Sequence, residues 1–462
     1  MAHAHTTIIL AAGKGSRMRA SRPKVLHPLA GKPMLGHVIA TSRAAKATKT
    51  VLVLAPGMDE VATFAKKTDP AIQIALQDPP LGTGHAVMAA RELLPREGVV
   101  SVLFGDTPLL RARTIELLID ALRRENAAVA ALGMDLNDAT GYGRLVHDGS
   151  RLLKIVEQAA ADETIRAIRI ANAGIMAFDA GRLGALLDRV PERTARDGNR
   201  EYYLTDTVEA AVAEGWSCCS SLAPEEEGLG VNDRIQLAEA EAVMQARLRQ
   251  RAMAEGVTMQ DPDTVYLSWD TVIGRDVTLE PNVVIGSGVT IEEGVTIRAF
   301  SHIALDMPKD KAPIHIRSGA VIGPFARVRS GSDLGPGVRV GNFVEVKNAR
   351  LAAGAKANHL AYLGDAEVGE RSNIGAGTIT CNYDGFAKWP TRIGKDVFVG
   401  SNSTLVAPVD LGDASLVTAG SWVHKSIPEG ASVAARGAPE VKEGGARKLE
   451  AYLRARAETK SD

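Results

Sequence analysis

The chain has 462 residues, a formal net charge of −1 and 24% charged residues, with no long run of one sign. This balance argues against nucleic acid as the main partner, and the length predicts two or three domains. No apolar stretch reaches the roughly 18–20 residues of a membrane-spanning helix, and MAHAHTTIIL lacks the basic start of a signal peptide. Three cysteines without a CxxC spacing argue against a disulfide framework or a zinc site and favour a reducing cytoplasm.

Residues 6–230 alternate apolar runs with helix-forming runs. TTIIL, KTVLVLAP, GVVSVLFGD and AAVAALGMD are predicted as strands, and MLGHVIATSRAAK, GHAVMAARELL and ARTIELLIDALRREN as helices. Because strands that are apolar throughout are buried on both faces, we expect an α/β domain with a mostly parallel, Rossmann-like sheet. His3 and His5 could bind a stray metal ion, but a disordered tip or a tag remnant is the expectation there.

The run RIQLAEAEAVMQARLRQRAMAE predicts a long helix that Gly256 ends. We interpret it as a linker and divide the chain into an N-terminal domain over 1–233, a linker helix over 234–256 and a C-terminal domain over 257–462. The tail from Glu440 onward is charged and is expected to be helical or frayed.

An aliphatic residue recurs every six positions in the second half of the chain. A period of six fits neither an amphipathic helix nor a two-sided strand, and it predicts a left-handed parallel β-helix of hexapeptide repeats. Residues 304–315 and 381–392 interrupt the period and are predicted as loops. The periodic positions are Ile273, Leu279, Ile285, Ile291, Ile297, Ile303, Ile316, Ile322, Val328, Leu334, Val340, Val346, Val368, Ile374, Ile393, Val399, Leu405, Leu411, Val417 and Val423.

A glycine-rich loop, LAAGKGSRM, follows the first strand. Backbone N–H groups at Gly13 and Gly15 can close on an anion, and Lys14 and Arg17 add positive charge. Met18 stands where a dinucleotide fingerprint requires glycine, and the P-loop spacing is absent. With the downstream RPKVLHPLAGKPM, which carries Lys24, the loop resembles that of the sugar-phosphate nucleotidylyltransferases.

This resemblance implies a nucleotide site and a sugar site. It assigns Lys24 and Arg17 to catalysis, Gln77, Gly82 and Thr83 to the pyrimidine base, and Tyr203 to the site's surroundings. Phe104 stands where close relatives commonly carry tyrosine. The full set implied to bind UTP or the UDP-sugar product is Leu10, Ala11, Ala12, Gly13, Lys24, Gln77, Gly82, Thr83, Gly141, Glu157, Asn172 and Asn232.

Asp106 ends the run VLFGD, at the carboxyl end of a predicted buried strand. Open α/β sheets hold their ligands at this edge, and a carboxylate there suits Mg²⁺. The resemblance implies Asn232 as the second metal ligand, with one or two ions bound. The implied reaction is attack of a sugar 1-phosphate oxygen on the α-phosphorus of a nucleoside triphosphate, with loss of pyrophosphate.

The richest stretch of the repeat region is GNFVEVKNARLAAGAKANHLAYLGDAEVGERSNIGAGTITCNYDG. With GPFARVRSG and VAARG beside it, the chain resembles the bifunctional bacterial glucosamine-1-phosphate N-acetyltransferase / N-acetylglucosamine-1-phosphate uridylyltransferases over nearly its whole length. The resemblance implies a cytoplasmic homotrimer that makes UDP-N-acetylglucosamine for peptidoglycan and lipopolysaccharide from UTP, acetyl-CoA and glucosamine 1-phosphate. A monomer is then expected to be inactive in acetyl transfer.

In this second site His359 is implied as the general base for the attacking amine, a role that suits histidine. Residues implied to bind glucosamine 1-phosphate are Arg329, Lys347, Tyr362, Asn373 and Lys388. Residues implied to contact acetyl-CoA are Ala376, Asn382, Tyr383, Ser401, Ala419 and Arg436. The region of Ser401 is our expectation for the donor that stabilises the oxyanion.

Three other interpretations remain open. The repeat domain could be degenerate and regulatory, although the presence of His359 and its neighbours argues against this. The substrate could be a glucose- or mannose-type sugar phosphate, whose enzymes lack the NYDG and YLGDAEVG stretches. His302, His315 and His359 could hold zinc in a hydratase, although their spacing is irregular.

Overall fold

The computed structural model describes residues 4–13, 15–194, 200–305, 312–434 and 445–458. The chain divides into two compact units, Met1–Met244 and Gln245–Asp462. The boundary falls inside the predicted linker helix, which the structure has as Arg234–Ala254. The three-part division of the chain made from sequence stays a prediction.

The first unit is built on a mixed β-sheet. Its strand order is Cys218–Ala223, Val129–Asp135, Ile170–Asp179, Val99–Phe104, His5–Leu10, Lys49–Leu54 and Gln73–Leu76. The pairs that His5–Leu10 makes are parallel, as predicted. Ile170–Asp179 instead runs antiparallel to both of its neighbours, and it also pairs with the hairpin Arg144–Asp148 and Arg151–Val156. Two-stranded pairs form between Pro28–Leu29 and Lys32–Pro33 and between Arg193–Thr194 and Arg200–Glu201.

Helices cover both faces of this sheet, with buried aliphatic clusters on each side. The three predicted helices are confirmed. Two of them end two residues early, and the one predicted over GHAVMAARELL begins two residues earlier and ends five residues earlier than expected. Further helices lie between the other strands. The α-helices are Met34–Ala44, Asp59–Thr68, Gly82–Ala89, Ala112–Arg124, Glu163–Arg166, Ala180–Leu187 and Asp206–Ala213; the 3-10 turns are Ser16–Met18, Lys24–Leu26, Arg91–Leu93 and Glu225–Gly228.

The expectation of a disordered tip or a metal ligand was wrong for His5. His5 begins the central strand and its side chain is 4% exposed. Its Nε2 lies 2.8 Å from Ser101 Oγ and its Nδ1 lies 3.1 Å from the carbonyl oxygen of Ala45. A hydrogen-bonded core position therefore accounts for this histidine, whereas His3 lies outside the described residues.

The second unit is a solenoid of short parallel strands arranged in three sheets. The first sheet contains Thr258–Met259, Thr278–Leu279, Thr296–Ile297, Val321–Ile322, Arg339–Asn342, Lys356–His359, Asn373–Ile374, Phe398–Val399, Leu416–Val417 and Ser432–Val433. The second contains Tyr266–Leu267, Val284–Ile285, His302–Ile303, Arg327–Val328, Glu345–Lys347, Tyr362–Gly364, Ile379–Cys381, Thr404–Val406 and Trp422–Val423. The third contains Val272–Ile273, Val289–Ile291, Ile314–Ile316, Asp333–Leu334, Arg350–Leu351, Ala366–Val368, Thr391–Ile393 and Val409–Leu411.

Each strand pairs with the strand three places along the chain, so one coil contributes one strand to each sheet. This is the left-handed parallel β-helix predicted from the hexapeptide period. The predicted periodic positions are buried except Ile273, which is half-buried. A turn at Pro262–Thr264 separates the first two strands of the solenoid, and a helix at Gly445–Glu458 follows the last one.

Three inward-facing positions of the solenoid were not predicted from the six-residue period. Leu351, Ala357 and Leu363 are fully buried and continue the inward column. They were missed because the steps from Val346 to Leu351 and from Leu363 to Val368 are five residues instead of six. The predicted interruptions are also shorter than expected, since strands already begin at residues 314 and 391. In the part of the chain that the structure describes, no helix combines the length and the apolar character needed to span a bilayer.

Candidate active sites

The first candidate site is a cavity of about 240 Å³ at the carboxyl ends of the central strands. Thr83 and Gly82 begin the helix at one side, and Asp106 closes the other. The cavity gathers the predicted Leu10, Ala11, Ala12, Gly13, Lys24, Gln77, Gly82, Thr83 and Asp106, together with Phe104. Its position agrees with the rule that open α/β sheets bind ligands beyond the carboxyl ends of their strands.

Lys24 connects the two predicted metal ligands. Its ammonium donates to Asp106 Oδ2 and, at 3.1 Å, to Asn232 Oδ1. The Lys24 side chain is only 11% exposed and that of Asp106 19%. One carboxylate and one amide oxygen thus converge on a single cationic centre, and such oxygen donors suit Mg²⁺. The residues present therefore fit the implied metal.

Gln77 lies on the wall of the cavity with 4% of its surface exposed. Its Nε2 donates to the carbonyl oxygen of Gly82 at 2.9 Å, which fixes the amide plane. Gly82 has a φ of +89°, and a Cβ there would lie 2.8 Å from the carbonyl oxygen of Tyr202. Glycine is therefore required where this loop meets residue 202.

The predicted sugar-binding residues form a second group beside the cavity. Asn172 Oδ1 accepts from the backbone N–H of Gly174 at 3.0 Å, and Gly174 packs against the Phe104 ring. Glu157 Oε1 accepts from the Thr205 hydroxyl at 3.3 Å. The backbone N–H of Leu204 donates to Thr83 Oγ1 at 3.0 Å, so the segment around 204 connects this group to the cavity.

Burial raises the pKa of Glu157 above its usual range, and the Thr205 hydrogen bond opposes that shift. Burial and a hydrogen bond to Glu201 raise the pKa of Tyr203 to about 12, so its hydroxyl stays protonated. Gly141 lies in the loop before the hairpin with a φ of +91° and open space where a Cβ would stand. Arg17 is exposed on the Ser16–Met18 turn and does not line the cavity.

The second candidate site centres on His359, at the end of a strand in the first solenoid sheet. Its Nδ1 lies 2.6 Å from Asn342 Oδ1, and the two residues are paired across neighbouring strands. Because an amide oxygen only accepts, Nδ1 carries the proton and Nε2 presents its lone pair. His359 is exposed, so this basic atom belongs to an open surface.

Arg329, Lys347 and Tyr362 lie together on the second solenoid sheet. Arg329 donates to Glu345 Oε1, and Glu345 pairs in register with Tyr362 on the next strand. Lys347 stands in register with Gly364, and a Cβ at Gly364 would collide with the Tyr362 hydroxyl. The tyrosine ring therefore lies over Gly364, next to the Lys347 position. Two cations and a phenol on neighbouring coils form a surface able to bind a phosphate.

Of the other two predicted sugar-phosphate ligands, Lys388 lines a cavity with Asn348 and Asp365, which directly follow Lys347 and Gly364 in sequence, whereas Asn373 lies on a different sheet. Asn373 is on the first sheet, in register with Lys356. Lys388 is exposed on the excursion at 382–390, where it pairs with Tyr383. Asn382 anchors this excursion, since its Nδ2 donates to Asp365 Oδ2 at 2.5 Å.

The predicted acetyl-CoA contacts form a column along one corner. Ala376, Ser401 and Ala419 each stand two residues after an inward aliphatic residue of the first sheet, as His359 does after Ala357. Backbone hydrogen bonds connect consecutive corners, such as Gly420 N–H to the carbonyl oxygen of Ser401 at 2.8 Å. Arg436 lies outside the described residues.

Sequence reasoning missed the residues that orient these groups. Asn342 holds His359, Glu345 holds Arg329, and Asp365 accepts from both Asn348 and Asn382. A signal was available for Asn342, since it precedes His359 by the 17 residues of one shortened coil. The zinc interpretation has no support within one chain, because His302 and His315 lie on different sheets from His359.

Comparisons with known proteins cover both units. A model of the MobA-like NTP transferase domain matches residues 7–174, the bacterial transferase hexapeptide model matches 270–304, and the hexapeptide repeat of succinyl-transferase matches 390–425. The bifunctional protein GlmU of Azorhizobium caulinodans is 49% identical and covers 96% of this chain and 97% of its own. Those of Xanthobacter autotrophicus and Ruegeria sp. are 48% and 47% identical, covering 96% and 98% of this chain and 97% and 98% of their own. The family expected from sequence is confirmed, and the chain belongs to the bifunctional GlmU proteins.

Proposed function

We propose that the two candidate sites perform successive steps in the synthesis of UDP-N-acetylglucosamine. The chain is a bifunctional transferase of acetyl and uridylyl groups. The solenoid site acetylates glucosamine 1-phosphate, and the N-terminal site then couples the product to UTP with release of pyrophosphate. The observation that carries this assignment is that each of the two compact units has its own cluster of polar residues suited to one of these reactions.

For uridylyl transfer, the N-terminal cavity positions two anions that repel each other. The uracil lies against Gln77 and Thr83, and the sugar is held by Asn172 and Glu157. The phosphate oxygen of N-acetylglucosamine 1-phosphate then attacks the α-phosphorus of UTP in line with the departing pyrophosphate. The Lys24 ammonium supports the charge that develops on the phosphates.

Asp106 and Asn232 are the residues that would hold Mg²⁺. Their two oxygens already share one cationic partner, the Lys24 ammonium. When bound, the ion neutralises phosphate charge that would otherwise oppose the attack. Arg17 is exposed on the glycine-rich loop, where its guanidinium is available to the triphosphate.

For acetyl transfer, His359 Nε2 takes the proton from the amino group as it attacks the thioester carbonyl carbon. Asn342 keeps the other proton on Nδ1, which holds the ring in the tautomer that this role requires. The tetrahedral intermediate then expels the CoA thiolate. The region of Ser401, two coils further along the same corner, supplies the donor for the oxyanion.

The phosphate of glucosamine 1-phosphate binds to Arg329, Lys347 and Lys388, with Tyr362 and Asn373 against the sugar. Asn382 and Tyr383 line the acyl end, and the CoA chain follows Ala376, Ala419 and Arg436. Arg329 is held by Glu345 and is half-buried, so its guanidinium is positioned before the substrate arrives.

We further propose a homotrimer with acetyl-transfer sites shared between chains. Phe300, Phe325 and Phe343 are exposed and form a stack with centroid spacings of 4.9 and 5.2 Å. Phe343 and the exposed Leu360 directly follow Asn342 and His359. An apolar ridge of this size beside the general base favours coverage by a second copy of the chain.

The free cysteines Cys218, Cys219 and Cys381 fit a reducing compartment, and we place both reactions in the cytoplasm. The product would supply peptidoglycan and lipopolysaccharide synthesis, as the family resemblance implies.

A split assay tests the assignment. Thiol release from acetyl-CoA with glucosamine 1-phosphate reports the solenoid site, and pyrophosphate release from UTP with N-acetylglucosamine 1-phosphate and Mg²⁺ reports the other. His359→Ala should lose only the first activity and Asp106→Ala only the second. Wild-type protein that releases no thiol would instead support a regulatory solenoid.

A further inference from the structure

A second cavity of the N-terminal unit has no role in the steps above. It measures about 560 Å³ and is lined by the segment 19–22, by His27 and Pro28, and by Arg234. Arg19, Arg22 and Arg234 bring three guanidinium groups to it. Among the described residues that line it there is no carboxylate.

The cavity carries uncompensated positive charge. In the described part of the chain, Arg19 and Arg22 form neither ion pairs nor side-chain hydrogen bonds. Arg234 donates from Nε to the carbonyl oxygen of Met18 and from Nη1 to His27 Nδ1, both at 3.4 Å, and both acceptors are neutral. Three like charges gathered without a counterion raise the local potential and favour an anion.

The environment of His27 indicates independently that the cavity binds an anion. It is 4% exposed, and its Nε2 is buried without a hydrogen-bond partner among the described residues. Because Nδ1 faces the Arg234 donor, Nε2 carries the proton of the neutral ring. Burial lowers the pKa of His27, and the charges of Arg234 and Arg22 lower it further. Nε2 therefore presents an N–H without an acceptor beside three guanidinium groups, which favours an anion.

The cavity shares two chain segments with the uridylyl-transfer site. Lys24 lies between Arg22 and His27, and Asn232 lies two residues before Arg234. Arg234 also begins a helix of 21 residues, whose N-terminal end adds positive potential. A phosphate anion that dissociates from the Lys24 ammonium therefore meets a second cluster of cationic side chains, which the same chain segment carries.

We propose that Arg19, Arg22, Arg234 and His27 form a binding site for a phosphate anion of the pyrophosphate type, separate from the nucleotide cavity. Planar guanidinium groups match phosphate oxygens with paired hydrogen bonds, which favours phosphate over simple inorganic anions. Free pyrophosphate and the distal phosphates of UTP share this chemistry. The site goes beyond the proposed function, since it can bind an anion whether or not uridylyl transfer occurs.

Calorimetric titration of the full chain with inorganic pyrophosphate, in EDTA and at low salt, tests the proposal. The test variant is Arg19→Asn with Arg22→Ala, where asparagine suits the φ of +47° at position 19. Arg151→Ala is the matched control, because Arg151 is also exposed and has no ion pair in the described chain. Lys24→Ala separates the new site from the nucleotide cavity.

We expect wild type and Arg151→Ala to bind pyrophosphate alike. The double variant should bind it at least about tenfold more weakly at the new site, and Lys24→Ala, which removes a cation of the nucleotide cavity, should keep the binding that the double variant loses. Wild-type affinity in the double variant, or an equal loss in Arg151→Ala, would overturn the proposal. So would loss of all binding in Lys24→Ala alone. If the double variant also raises the KM for UTP, the distal phosphates of the nucleotide are the ligand; an unchanged KM identifies free pyrophosphate.

Discussion

The substitution Asn342→Asp tests how the solenoid positions its general base. It replaces the amide oxygen 2.6 Å from His359 Nδ1 with a carboxylate of nearly the same shape. The new negative charge favours the protonated ring, so the acid limb of the pH–rate profile for acetyl transfer should move to higher pH.

The expected shift of the acid limb along the pH axis depends on how far His359 is exposed to solvent. Opposite charges about 4 Å apart attract by about 1 kcal/mol in water and about 4 kcal/mol at an effective dielectric of 20. Because His359 is exposed, solvent screening favours the lower part of this range. About 1.4 kcal/mol corresponds to one pH unit, and we expect a shift of about that size.

The assay is kcat/KM for thiol release, measured across the neutral range at fixed ionic strength. Asn342→Ala is the companion variant: it removes the acceptor without adding charge, so it should lower kcat/KM about tenfold without an upward shift of the acid limb. Uridylyl transfer should not change in either variant. An Asn342→Asp profile that superimposes on wild type, or full activity of Asn342→Ala, would refute the positioning role.

Three further predictions concern stability and assembly. Burial lowers the pKa of His5 below its ordinary 6.5, so the unfolded chain binds more protons as pH falls below that value. The free energy of unfolding should then drop by up to about 1.4 kcal/mol per pH unit, and denaturation curves of His5→Gln should show a flatter pH dependence; an unchanged slope would contradict this. Leu363→Ala removes a fully buried side chain and should destabilise the solenoid by about 2–5 kcal/mol in calorimetry while pyrophosphate release persists. Phe325→Asp should lower the oligomeric mass in sedimentation and reduce acetyl transfer with it, whereas the exposed-surface change Arg392→Ala should do neither.

The sequence revealed the solenoid more completely than the α/β domain, because its period repeats many times. In the first half of the chain no pattern repeats, so each strand had to be recognised from a single run of apolar residues. The strand Ile170–Asp179 was missed because its sequence IANAGIMAFD mixes small residues and Asn172 with apolar ones. Its antiparallel direction depends on pairing with Val99–Phe104, a contact that local sequence does not encode.

The cavity brings together most of the nucleotide-site residues taken from family motifs, whereas Arg17 does not line it and Asn373 lies on a different sheet from Arg329, Lys347 and Tyr362. The partners that orient these groups were not predicted. Asp106 could be placed by reasoning, since a strand end in an α/β sheet is a ligand position. Glu345 and Asp365 could not, because a surface carboxylate in a repeat gives no sign of what it holds. His5 was misjudged because its neighbours in the fold, Ser101 and Ala45, are remote in sequence.

The functional residues along one corner of the solenoid are separated by whole numbers of coils. Asn342, His359, Ala376 and Ser401 occupy the same place in successive coils, and neighbouring coils are about 4.8 Å apart. One extra coil inserted before Arg327 would lengthen the domain and leave these spacings untouched. The same coil inserted between Asn342 and His359 would move the base away from its hydrogen-bond acceptor by a full strand spacing. The number of coils between two functional corners is therefore fixed by the contact that their side chains must make, whereas coils outside that span can be added without changing it.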